Sequence, residues 1–270
     1  MSVLRRMMME GFNIDAIPSS RKIYYAASKK ITPQENSLGS KVRLNMYDAT
    51  TMSGAIVTES DITSIGDSAF YNCVSLTSVN IPDGVTTIGN RAFYNCSSLT
   101  SITIPDSVTS IGYTAFYNCS SLTSITIPDS VTNIGNTAFS GCVSLTSVNI
   151  PDGVTTIGNS AFYSCVSLTS VNIPDGVTTI GNSAFYSCDS LTSVNIPNNV
   201  TMIGDYAFVF CSSLTSVYCK ATTPPTLGET DVFFANGSGF KIYVPMESVD
   251  TYKSATNWSR YADVIEGYEF

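Results

Sequence analysis

CVSLTSVNIPDGVTTIGNSAFYS, residues 142–164, is followed without a single change by the same 23 residues at 165–187. The step runs on in both directions. Cysteines stand at Cys73, Cys96, Cys119, Cys142, Cys165, Cys188 and Cys211, and phenylalanines at Phe70, Phe93, Phe116, Phe139, Phe162, Phe185 and Phe208. A fixed period of this size marks a solenoid, in which one short unit is copied and stacked and neighbours share a core. No unit is large enough to bury its own apolar face, so stability must run along the stack.

Within the unit, Leu145-Thr146-Ser147-Val148-Asn149-Ile150 is rich in β-branched residues and stops at Pro151, which reads as a strand. Pro151-Asp152-Gly153 reads as a tight turn, with proline presetting φ and glycine tolerating a positive one. Val154 to Ile157 is a second short extended piece ended by Gly158. Asn159 to Tyr163 has room for one helical or 3₁₀ turn capped by Asn159 or Ser160. The expected inward positions are Cys142, Leu145, Val148, Ile150, Val154, Ile157, Ala161 and Phe162.

Composition narrows the partners. The 270-residue chain carries a net charge of −8, and only 13% of its residues are charged. Residues 61–219 hold nine aspartates against the lone Arg91. An acidic array repels phosphate backbones, so neither nucleic acid nor an anionic membrane is an expected partner. No apolar run reaches the roughly 18 residues of a membrane span. The opening MSVLRRMMMEGF is too short in apolar residues for the core of a secretory signal, so export by another route, prior removal of a signal or release by lysis is expected. Side chains stacked in a solenoid point the same way, so the periodic cysteines are expected as buried free thiols, not disulfides. There is no histidine and no CxxC, so neither a metal site nor a cofactor is expected.

The pattern CxxLTSVxIPxxVTxIGxxAF across residues 61–219 resembles the BspA-like leucine-rich repeats, a 23-residue bacterial class. The resemblance implies a right-handed leucine-rich-repeat superhelix, with a parallel β-sheet on the concave face and short strands and helical turns on the convex face. The chain divides into a flexible N-terminus (1–20), an N-terminal β cap (21–60), seven 23-residue repeats (61–219) and an α/β C-terminal cap (220–270). Strands are expected at Lys22–Tyr25, Lys41–Tyr47 and Ala55–Thr58 in the first cap. In the second cap a strand at Phe240–Pro245 and a helix from about Glu247 to Ala255 are expected, in a phrase (KIYVPMESVDTYKSATNW) that resembles the family's terminal segment.

Two surfaces are candidates for binding. The outward residues of the main strands include Thr77, Thr100, Thr103, Thr123, Thr126, Thr146, Asn149, Thr169 and Asn172, a hydroxyl–amide lattice. It is able to bond a polymer, or else it merely solvates the sheet. On the other side Tyr71, Tyr94, Tyr117, Tyr163 and Tyr186 follow the buried phenylalanines, with Ser140 and Val209 in the remaining units. Exposed tyrosines are good contacts for proteins or sugars, and equally good packing between repeats. The turn aspartates Asp83, Asp106, Asp129, Asp152 and Asp175 read as turn residues and not as a calcium site.

Without histidine or a phosphate-binding loop, no catalytic constellation is legible. The expected function is non-enzymatic: an extracellular or cell-surface adhesion protein, a monomer, that binds a protein or glycan ligand. The alternative is a structural or receptor-binding component of a phage particle, since KIYYAASKKITP resembles leaders on repeat proteins carried by mobile elements.

Overall fold

The computed structural model describes residues 14–270. Nine main strands lie one coil apart: Leu76–Asn80, Ser101–Thr103, Ile125–Thr126, Ser147–Asn149, Ser170–Asn172, Ser193–Ile196, Ser216–Cys219, Lys241–Pro245 and Ile265–Tyr268. Their pairing is parallel and in register with the repeat, Val148 facing Ile125 on one side and Val171 on the other. The short extended pieces, such as Thr156–Ile157 and Thr179–Ile180, pair in the same way in rows of their own. The chain is therefore a solenoid of stacked parallel coils, as its period demands.

All eight inward positions of the 142–164 unit are buried. Phe70, Phe93, Phe116, Phe139, Phe162, Phe185 and Phe208 form one column, with neighbouring ring centroids 5.2–5.5 Å apart and planes within 2–9° of parallel. Phe233 extends it past the last 23-residue unit at 5.6 Å.

The turn read as helical has a different construction. Ser160 and Ser164 both take positive φ, 54° each, which breaks any helix. Hydrogen bonds alternate instead. Ala161 and Tyr163 donate locally to Gly158 and Ser160, while Ser160, Phe162 and Ser164 donate to Asn182, Ala184 and Tyr186 of the next coil. Asn159 does not cap its own turn; its Oδ1 accepts the Asn182 N–H of the next coil at 2.8 Å. Coils approach so closely here that a Cβ on Gly112 would lie 2.6 Å from the backbone of Asn90, which explains the glycine before this position in each unit.

The thiols follow the same logic. All eight cysteines are free; Cys73 is half-buried and the rest are buried. Cys142 Sγ donates to the Phe116 carbonyl at 3.2 Å, and Cys119 and Cys165 do the same to Phe93 and Phe139. Each such carbonyl also accepts a backbone N–H, for example Cys119 N to Phe116 O. Cysteine thus supplies a small apolar body and one donor at a point where both are needed.

At the N-terminal end, β1 (Lys22–Ala27), β2 (Val42–Asp48) and β3 (Ser53–Thr58) form an antiparallel unit. β1 pairs antiparallel with Leu76–Asn80 and joins this unit to the coils. Of the segment expected to be flexible, residues 1–13 lie outside the described residues. Residues 14–20 instead carry short 3₁₀ turns, Ile14 being buried against Met46, Ala55 and Val57. The apolar Ile14 has a pocket to fill, which ties this stretch to the sheet. At the other end α1 (Val249–Ser254) follows the eighth main strand. Trp258 is buried and donates its indole N–H to Pro225 O at 2.7 Å, and the Tyr252 hydroxyl donates to Ala221 O at 2.7 Å. The ninth strand, Ile265–Tyr268, was not evident in the sequence.

Candidate functional site

The strand face separates into two rows of different chemistry. In the first row the Thr100 hydroxyl donates to Thr77 O (3.2 Å), Thr123 to Thr100 O (3.4 Å), Thr146 to Thr123 O (3.2 Å) and Thr169 to Thr146 O (3.1 Å). The same carbonyls accept the backbone N–H of those threonines. Thr77 is half-buried and donates to Ala26 O on β1 at 3.0 Å. The donors of this row are therefore engaged in holding coil to coil. The second row, Thr103, Thr126, Asn149 and Asn172, is exposed, with one lateral bond from Asn172 Nδ2 to Asn149 Oδ1 at 3.2 Å. It ends on aromatics: Tyr218 stacks on Tyr243 at 4.9 Å and meets Tyr268 edge-on at 5.2 Å.

The turn face carries the tyrosines in two separate columns. Tyr71, Tyr94 and Tyr117 stack at 4.9 and 4.8 Å. Partial burial and the neighbouring hydroxyls of Tyr117 and Tyr71 push the Tyr94 pKa up. Beside them the Asn95 amide donates to Asn72 Oδ1 at 2.9 Å and Asn118 to Asn95 Oδ1 at 2.8 Å. Ser140 is buried and ends this column. Tyr163 and Tyr186 resume it, stacked at 4.8 Å and 3°. The next coil departs from the pattern. Val209 is buried, and the following residue, Phe210, meets Tyr186 edge-on at 5.4 Å and 85°. Phe234 meets Phe210 edge-on at 6.0 Å. Tyr163, Tyr186, Tyr206, Val209, Phe210, Asp231 and Phe234 line an open groove of about 400 Å³.

Tyr206, Phe210 and Phe234 were not among the residues expected from the sequence. The signal for Phe210 was there: its position holds Asn72, Asn95, Asn118, Gly141, Ser164 and Ser187 in the earlier units. The turn aspartates Asp83, Asp106, Asp129, Asp152 and Asp175 are exposed. Among the described residues, no group of three or more His, Cys, Asp or Glu side chains is placed to hold a metal ion. No helix among them is long and apolar enough to cross a membrane.

Stacked coils, parallel in-register strands and a Leu/Ile/Val/Phe/Cys core define a leucine-rich-repeat protein. A family model described as the BspA type leucine rich repeat region, in six copies, matches residues 41–165 and 109–233, and the chain belongs to that family. A solved leucine rich cell surface protein from Faecalibacterium prausnitzii is 46% identical over 58% of this chain and 42% of its own, with a TM-score of 0.54. A leucine-rich repeat protein from Bacteroides ovatus is 28% identical over 70% of this chain and 60% of its own, at a TM-score of 0.42. The T. pallidum leucine rich repeat protein is 31% identical over 63% and 68%, at 0.45. The chain thus spans less than half of the Faecalibacterium protein. No curated protein matches it.

Proposed function

We propose that this protein is a non-enzymatic adhesion module, held outside the cell or on its surface, that engages host proteins, other cells or glycans through its coils. One observation carries the reading: coil after coil presents the same exposed positions in register, as with Thr103 opposite Thr126 and Asn149 opposite Asn172. A partner with repeated features meets several equivalent contacts at once, and weak contacts sum by avidity. Support comes from the 46% identity to a protein described as a leucine rich cell surface protein. The acidic coils argue against nucleic acid as the partner.

The test is binding of the purified protein to arrays of extracellular-matrix proteins and glycans, with Tyr94→Ala/Tyr117→Ala and Thr103→Ala/Thr126→Ala variants beside it. Binding that one of the pairs weakens supports the reading. A blank array, or labelled antibody that finds the protein only in released phage particles, contradicts it.

A further inference from the structure

The groove at Tyr186 and Phe210 is the place where the repeat gives up its own rules. Phe210 has a φ of 59°, in the left-handed region that disfavours bulky side chains. The equivalent residues of the earlier coils, Asn72, Asn95, Asn118, Gly141, Ser164 and Ser187, are small or polar at the same positive φ. The ring is 43% exposed, Phe234 55% and Tyr206 43%. The backbone conformation is the one every coil uses, and it carries the Phe210 N–H to Phe234 O bond at 2.9 Å. What departs from the pattern is a bulky, exposed ring in that conformation, and strain of this kind collects at functional sites. Exposed aromatic clusters mark contact surfaces.

Charge selects the occupant. Asp231 is a lining residue and no lysine or arginine is among the others. The coils from residue 61 to 219 are acidic throughout except for Arg91. A field of that sign repels anions and draws cations toward the surface. Aromatic faces beside a carboxylate then hold a cationic head group by ring quadrupole and charge together. We propose that this groove is the seat of a cationic segment of a partner protein, whose arginine or lysine side chains pack on Phe210, Phe234 and Tyr186 and pair with Asp231. The proposal rests on the adhesion reading and gives that reading one ligand class and one location.

Three probes test it by calorimetry on the full chain: a flexible Arg-Gly repeat peptide, the same peptide with glutamate for arginine, and a neutral glucan oligosaccharide. The arginine peptide is expected to bind, the other two not, and binding is expected to weaken as ionic strength rises. Phe210→Ser, which installs the residue found at Ser164 and Ser187, is expected to cut affinity about tenfold, or roughly 1.4 kcal/mol, while the protein stays folded. Phe210→Tyr retains binding, and Asp231→Asn weakens it. Binding of the arginine peptide that ignores Phe210→Ser overturns the site. Oligosaccharide binding that Phe210→Ser removes overturns the occupant. Silence from all three probes overturns the proposal, while a positive matrix or glycan array under the same conditions leaves the adhesion reading standing.

Discussion

The coils built on Tyr71, Tyr94 and Tyr117 and those built on Tyr163, Tyr186 and Phe210 share one core and differ at the surface. In the first set, stacked tyrosines run beside an asparagine ladder with bonds of 2.8–2.9 Å, so rings and amides alike are engaged from coil to coil. In the second set Ser164 and Ser187 replace the asparagines, and Phe210 and Phe234 turn edge-on and leave a groove. Beneath both, the phenylalanine column continues without a break. Positions that never vary make the scaffold; positions that stop repeating give it a place to bind.

The largest expected effect concerns what the two sets share. Burial pushes the Cys142, Cys211 and Cys219 thiols up to about 12, well above the ordinary thiol range. Cys119, Cys165 and Cys188 are raised as well, by the same burial. These groups ionise in the unfolded chain before they do in the fold. Their contribution is complete below about pH 9 and is lost as pH rises toward 12, at roughly 1.4 kcal/mol per pH unit for each thiol. Denaturant midpoints followed by circular dichroism are expected to collapse between about pH 9 and pH 11. A flat profile there would show that the thiols are not sequestered as described.

Next in size is the column itself. Phe116→Ala and Phe162→Ala each leave a cavity in the stack and are expected to cost about 3–5 kcal/mol. The two losses should agree closely, since the rings sit in equivalent surroundings. A large difference would mean that the coils are less alike inside than their geometry shows.

The surface substitutions should differ in size. Tyr94→Ala removes two stacked contacts and is expected to destabilise by about 1 kcal/mol. Phe210→Ser loses two edge-on contacts, to Tyr186 and Phe234, but takes a bulky ring off a left-handed backbone position, so the effects offset and stability is expected to change by less than about 0.5 kcal/mol. Thermal melts of the two variants check this, and equal destabilisation would erase the contrast. The smallest effect is chemical. Cys73 is half-buried, with a thiol pushed up to about 11 by burial, and is expected to react slowly with maleimide at neutral pH, ahead of every other cysteine.

Much of the scaffold was legible because its physics is periodic. Leu145, Val148, Ile150, Val154, Ile157 and Phe162 announce their burial by recurring every 23 residues, and the β-branched runs with their proline stops announce the strands. What the sequence concealed depends on contacts between coils. Thr123 and Thr126 look alike as outward threonines, yet one hydroxyl is bonded to the preceding coil and the other lies in the exposed row. Asn159 looks like a helix cap and serves the next coil instead. The groove was hidden for another reason: Phe210 carries its information by breaking a period, in a place where the tyrosines carry theirs by keeping one.

The most direct test is to insert one further copy of residues 142–164 ahead of Cys142 and to measure unfolding and arginine-peptide binding together. The inserted coil lies upstream of every residue that lines the groove. A longer particle that unfolds at an equal or higher denaturant midpoint, with unchanged affinity, is the predicted result. An insert that aggregates, unfolds earlier or loses the peptide would contradict a scaffold made of interchangeable coils with its binding groove set apart from them.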